Sequence, residues 1–310
     1  MKIRNVYLLI LLASCWGPSF LFIKIAVAEI SPVMLAALRI GIGAVILNLI
    51  LLLKKEKLPV TLVFWKKTFI AGFFAQGLPF TLINWGEQFV DSSLASLING
   101  LVPLCTIVLS QIMLRNERMT KNKLTGVLLG FIGLAVLVMP NLLSGVTGSS
   151  QGILSITAAA FSYGFGLVYI KKYLINIPSF RAPAAQLLSV AIYLLPMAFL
   201  ADSSFSLMEV SWQAIGAVAI LGLFGTAVAF VIYFKLIEQS SVAYASLVTY
   251  LMPVYGVILG IIFLNEQFTL WMFLGAVLIL AGIRTVNKPL KSKMKVFGEG
   301  LDAAYFTKFR

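Results

Sequence analysis

The sequence predicts an all-α integral membrane protein of ten transmembrane helices, arranged as two inverted five-helix repeats. Three observations carry this: an apolar composition, a one-sided distribution of basic residues, and a second half that repeats the polar landmarks of the first. Of the 310 residues, 60% are hydrophobic and only 11% charged, whereas soluble domains are about a quarter charged. The mean hydropathy is +1.00.

Apolar runs long enough to cross a hydrocarbon core about 30 Å thick fall at 6–28, 33–53, 68–89, 92–114, 122–140, 151–171, 182–200, 211–236, 242–264 and 269–286. The first run follows Lys2 and Arg4 and ends Ala26-Val27-Ala28, which imitates a secretory signal. It is too long for a signal core and holds Pro18 and Lys24, so it is expected to stay as the first span. Pro32 opens the second run, at the helix position where a missing N–H costs nothing. The turn-rich segment 141–150 (NLLSGVTGSS) separates the halves. The expected units are 1–143, 150–287 and a basic tail, 288–310.

Orientation follows from Lys and Arg. With the N-terminus in the cytoplasm, 22 of the 24 basic residues fall on cytoplasmic loops or ends, and the other two, Lys24 and Arg39, lie inside the first two spans. Eight or nine spans would break this alternation. The net charge of +13 is spread over short loops, with no soluble domain to present it to nucleic acid. The tail lysines Lys288, Lys291, Lys293 and Lys295 read as an ordinary positive-inside tail facing membrane lipids.

The repeat is carried by residues that chance does not easily align. Glu87-Gln88 precedes Ala95-Ser96-Leu97 as Glu238-Gln239 precedes Ala245-Ser246-Leu247; Pro103 and Pro253 follow at the same distance. Asn116-Glu117-x-x-Thr120 matches Asn265-Glu266-x-x-Thr269, and Gly126 and Gly133 match Gly275 and Gly282. Weaker matches pair Trp16-Gly17 and Lys24 with Tyr163-Gly164 and Lys171. A unit of five spans is odd, so the second copy enters the membrane upside down. That is the plan of many secondary transporters, with substrate near the midplane between the halves. A duplication kept only for stability is the plainer alternative.

Several chemistries are excluded. The chain has no histidine, no paired midplane aspartates and no G-x-x-x-x-G-K-[ST] phosphate loop, so neither an enzyme nor an ATP-driven pump is expected. Cys15 and Cys105 sit in apolar runs and read as neither disulfide nor metal ligands. No cofactor or metal is expected.

Polar and aromatic residues near the midplane are the candidate substrate contacts: Trp16, Gln76, Phe80, Asn84, Asn99, Tyr163, Thr249 and Tyr250. Each aromatic taken alone is more often a packing residue. Gln76 and Asn99 are too polar for lipid at that depth and should face protein or a cavity. Pro79, Pro103 and Pro253 interrupt spans; the equivalent pair Pro103 and Pro253 are candidate hinges. Glu87, Glu117, Glu238 and Glu266 sit near helix ends and are candidate gate residues, or merely interfacial. Water is expected to reach all four, so the sequence favours transport down the substrate's own gradient over proton coupling. Lys24 lies close enough to a span end to snorkel to headgroups. Arg39 lies deeper and should face protein, backbone carbonyls or a cavity.

Taken together, Trp16-Gly17, Arg39, the Ala-Ser-Leu-to-proline stretches and the Asn-Glu-x-x-Thr ends followed by glycines resemble the drug/metabolite transporter superfamily, in its ten-span EamA-type branch, over about residues 6–286. The resemblance implies two EamA-type repeats, cytoplasmic termini, a bacterial cytoplasmic (inner) membrane, and outward movement of small metabolites, amino-acid-like or amphipathic. A non-transporting protein such as a lipid scramblase or scaffold is the alternative.

Overall fold

The computed structural model describes residues 3–114, 119–143, 147–174, 180–239 and 248–286. The side chains of 141–143, 147–148, 237–238 and 249–250 are outside that description too. The candidate Glu117 therefore lies outside the described residues, as do the side chains of Glu238, Thr249 and Tyr250, and the basic tail.

The described residues form ten helical stretches. α1 comprises Ile3–Trp16 and Ser19–Ala26, α2 is Pro32–Leu53, and α3 joins Leu62–Gly72, Phe73–Gly77 and Leu78–Gly86. α4 comprises Ser92–Asn99 and Val102–Met113, α5 is Lys121–Leu143, α6 is Thr147–Tyr173 and α7 is Arg181–Ala201. α8 joins Trp212–Gly222, Leu223–Val228 and Ala229–Gln239; α9 is Val248–Leu264 and α10 is Leu270–Val286. Seven helices among the described residues (α1, α2, and α4 to α8) are long and apolar enough to cross a membrane, while α9 and α10 carry shorter apolar helices.

The interruptions have local causes. α1 turns at Gly17-Pro18, since proline removes a helical donor and clashes with the preceding turn. α4 breaks at Gly100-Leu101, just ahead of Pro103, whereas α9 runs unbroken through Pro253. The two prolines thus do not make a matched pair of breaks: α4 has Gly100 where the repeat gives α9 Tyr250, and glycine weakens a helix interior. The segment 141–150, expected as a linker, is helical up to Leu143 and again from Thr147.

Packing follows a rule. α5 lies along α10, α2 along α7 and α4 along α9; α3 packs on α6 as α8 packs on α1, and α4 on α6 as α9 on α1. α5 and α10 meet through glycines; a Cβ at Gly133 would lie 2.8 Å from the Gly275 carbonyl oxygen. Lipid tails are as apolar as the helix faces, so such close approach supplies the dispersion contacts that hold helices together in lipid.

The loops sort by charge. One end of the bundle, here the basic end, carries Lys54, Lys55, Lys57, Lys66 and Lys67. The other end, here the base-free end because its loops hold no Lys or Arg, carries Glu29, Glu87, Asp91, Glu209 and Glu266.

Candidate functional site

α3 and α8 each contain one widened π-helical turn, Phe73–Gly77 and Leu223–Val228. Such turns expose backbone carbonyls and recur at functional sites. Both begin directly after a glycine, Gly72 and Gly222.

Around the α8 turn, residues from five helices converge. The Trp16 indole Nε1 (α1) donates to the Gly225 carbonyl at 3.1 Å. Arg39 (α2) donates from a terminal guanidinium nitrogen to the same carbonyl at 3.2 Å, and from Nε to Thr226 Oγ1 at 3.0 Å. Thr226 Oγ1 donates to the Leu221 carbonyl, five positions back. The Arg39 guanidinium carbon lies 3.9 Å above the Phe80 ring (α3), and Phe80 meets Tyr163 (α6) edge-on at 6.2 Å. Trp16 packs against Phe230 and Tyr233 of α8. Arg39 is 4% exposed, and carbonyl, hydroxyl and ring face together replace the water its charge has lost.

Trp16, Arg39, Phe80 and Tyr163 are therefore brought together, and Gln76, Asn84 and Asn99 are not in this cluster. Gln76 Nε2 donates to Gln186 Oε1 of α7 at 3.1 Å, beside Thr68 and Ser189. Asn84 Nδ2 donates to the Pro32 carbonyl at the start of α2. Asn99 is buried with its Oδ1 unpartnered. Thr226, Gln186, Phe230 and Tyr233 were not singled out from sequence. Aligning Gly72 with Gly222 would have set Thr226 against Gln76, the one sequence signal that points to it.

The base-free end corrects two expectations. Lys24 does not reach for headgroups: its ammonium donates to the Glu87 and Val90 carbonyls, both at 2.7 Å, where α3 ends and leaves carbonyls free. Glu87 is not met by water either. It is 0% exposed, and neither carboxylate oxygen has a hydrogen-bond partner among the described residues.

Glu266 ties α9 to α4. Its carboxylate accepts from the Ser92 and Ser93 backbone N–H groups at 2.8 and 2.9 Å, and from the Ser93 hydroxyl. A carboxylate is stabilised there by the free donors and positive end of the α4 N-terminus. A recess of about 460 Å³ opens beside it, lined by Asp91, Asn265, Glu266, Thr269 and neighbouring apolar residues. Burial and the neighbouring Glu266 push the Asp91 carboxyl up, against the pull of Lys24. Glu29, between α1 and α2, accepts from the Ser211 N–H at 2.7 Å and its hydroxyl at 2.6 Å, and these bonds hold its carboxyl below the usual range. At the basic end, Arg181 Nε meets Glu56 at 3.1 Å and Asn5 donates to the Gln239 carbonyl.

A separate groove of about 590 Å³ between α3 and α7 is lined by Phe69, Phe73, Phe74, Tyr193 and aliphatic side chains. Among the described residues no group of His, Cys, Asp and Glu is placed to hold a metal ion.

Comparison with known proteins agrees with this architecture. The model of the EamA-like transporter family matches residues 4–139 and again 150–288. An uncharacterized transporter of Archaeoglobus fulgidus is 31% identical over 281 residues, covering 90% of this chain and 96% of its own. A probable amino-acid metabolite efflux pump of Escherichia coli is 28% identical, over 91% of this chain and 94% of its own. A protein of known crystal structure superposes with a TM-score of 0.64 over 93% of this chain and 98% of its own at 19% identity, a likeness of fold alone. With both stretches matched by one family model, and a relative named as a transporter matching along nearly the whole length, the chain belongs to the EamA-like transporter family.

Proposed function

We propose that this chain is a ten-span secondary transporter that exports small organic metabolites, amino-acid-like or amphipathic, by alternating access. The observation that carries the reading is the pair of widened turns, five helices apart, each held by the opposite half of the chain. Ser162 of α6 donates to the Phe74 carbonyl in the α3 turn. Trp16 and Arg39, from α1 and α2, hold the Gly225 carbonyl in the α8 turn. Exchanging each helix for its counterpart five places away (α3 for α8, α6 for α1) turns the α3–α6 contact into α8–α1, as an inverted repeat requires. Each half thus grips a break in the other, and rocking one half against the other changes both grips together.

In this reading the units are 1–143 and 150–287, with both termini cytoplasmic and the base-free end outside. Trp16, Phe80 and Tyr163 form the aromatic wall of the substrate site. The amino-acid-like class and the outward direction draw support from the relative named as a probable amino-acid metabolite efflux pump.

The test is reconstitution into liposomes loaded with an unlabelled mixture of the twenty protein amino acids. Saturable counterflow of the radiolabelled mixture is expected. Lipid flip without solute flux would sink the carrier reading and favour a scramblase. Cysteines placed in 141–150 are expected to label from outside; labelling from the cytoplasmic side would break the ten-span topology.

A further inference from the structure

Along one face of α3, at the base-free end, three buried oxygens have no donor among the described residues: Asn84 Oδ1, Glu87 Oε1 and Glu87 Oε2. Both side chains are 0% exposed. They stand three positions apart on one helix, where side chains are neighbours. Three acceptors and no donor make an unbalanced set. A single proton on Glu87 supplies the donor the set lacks, because a carboxylic acid donates one hydrogen bond and Asn84 Oδ1, one turn away, is an acceptor without one.

The surroundings favour the proton over the alternatives. Glu87 is the C-cap of Leu78–Gly86, where free carbonyls gather negative charge and an ionised carboxylate is disfavoured. The charged groups whose fields reach it are Lys24 on α1, Arg39 on α2 and Glu266 after α9; Asp91 stands four residues further on. Lys24 spends its hydrogen bonds on the Glu87 and Val90 carbonyls, and Arg39 spends its own on Gly225 and Thr226. Neither donates to the Glu87 carboxyl, while Glu266 opposes a second negative charge. α6 brings Ile156 and Gly152 against Gly86 at this level, and its lysines, Lys171 and Lys172, lie at the far end. A metal cation would face the Lys24 ammonium. An ionised, fully buried carboxylate without a donor is the costly state, and the neutral acid is the one that fits.

We propose that Glu87 is a proton-binding site: its carboxyl carries a proton while the base-free end is closed, and releases it to water when that end opens. The release half rests on the alternating-access reading above; the binding half does not. In a closed form that binds the proton more tightly than an open one, raising the pH outside favours opening. Transport then responds to pH even for a substrate whose own charge is constant.

Two measurements test this. Infrared spectra of the purified protein at neutral pH are expected to show a protonated carboxylic acid band that shifts in D₂O. The band disappears in Glu87→Gln and moves in Asn84→Val, which removes the acceptor but leaves the acid. A spectrum without a Glu87-dependent band overturns the proposal, whatever transport assays give. The second measurement uses Ser92→Cys in a background with Cys15 and Cys105 replaced by alanine, labelled from outside with an impermeant maleimide. Divided by the rate in the Glu87→Gln protein, labelling rises with outer pH, with a slope of up to about tenfold per unit for one linked proton. A flat ratio beside a normal band overturns the coupling half. Counterflow of the amino-acid mixture, measured in the same liposomes, decides separately whether the alternating-access reading holds.

Discussion

The widened turns of α3 and α8 share a place in the fold and differ in cause. In α3 the cause is covalent. Pro79 has no N–H to give the Ala75 carbonyl, and its ring would press on that carbonyl in a regular helix. One extra residue in the preceding turn relieves this, and the Leu78 N–H donates five positions back to Phe73. In α8 there is no proline. Its own Thr226 takes the Leu221 carbonyl, and from outside the helix Trp16 and Arg39 converge on Gly225. The α3 turn starts from its own proline, with Ser162 of α6 added to it, whereas the proline-free α8 turn relies on Trp16 and Arg39, more than 180 positions away. The difference teaches that a backbone break equivalent by repeat need not be equivalent in energetics. The α8 turn is the one that remote changes can reset.

That contrast is open to direct attack. Arg39→Ala should have the largest effect, since it leaves the Gly225 and Thr226 acceptors short of donors and strips the charge from Phe80. About 2–4 kcal/mol of stability should be lost, read as a lower melting temperature in detergent, with faster amide exchange at 223–229 and little change at 73–78. Pro79→Ala should disturb exchange only around α3 and cost less; the reverse order of cost would break the comparison.

Next in size is the amide pair of the α3 turn. Gln76→Leu or Gln186→Leu alone leaves a buried amide unpartnered and should cost about 1–2 kcal/mol, whereas the double replacement should recover most of the loss. Additive costs in that cycle would mean the two amides are not coupled. Trp16→Phe removes one of two donors to Gly225 and keeps the ring contacts, so about 1 kcal/mol is expected. Combined with Arg39→Ala it should cost more than the sum, because the carbonyl then loses both partners.

The smallest effect serves as a control away from both turns. Glu29 has a lowered carboxyl pKa through its bonds to Ser211. Its contribution is therefore present above the usual carboxylate range and lost as pH falls through the lowered value. Acidification should release the α1–α2 loop from Ser211, read as faster labelling of a cysteine at Val210. Glu29→Gln should remove that pH dependence without changing exchange at either widened turn.

Helical spans were legible because length and apolarity are local. The run 33–53 is the helix Pro32–Leu53, and 182–200 is Arg181–Ala201. Pro79 flagged its own helix, since proline acts on its own turn. The α8 turn carried no comparable signal, because its determinants lie on α1 and α2. Arg39 was legible as a charge that must find protein or carbonyls, but not which carbonyl. Glu87 was misread for the same reason: position near a helix end says nothing about what covers it.

The sequence by itself determined that this chain is helical, apolar and sorted by charge into two ends, and its landmarks marked out the transporter family. Those properties reside in composition, spacing and short-range sterics. Only the tertiary structure decided that Arg39 and Trp16 share one carbonyl, that Lys24 turns to the end of α3, and that Glu87 is sealed from water without a donor. Each of these depends on donors, acceptors and covering groups brought together from helices far apart in the chain, and burial is a property of all of them at once.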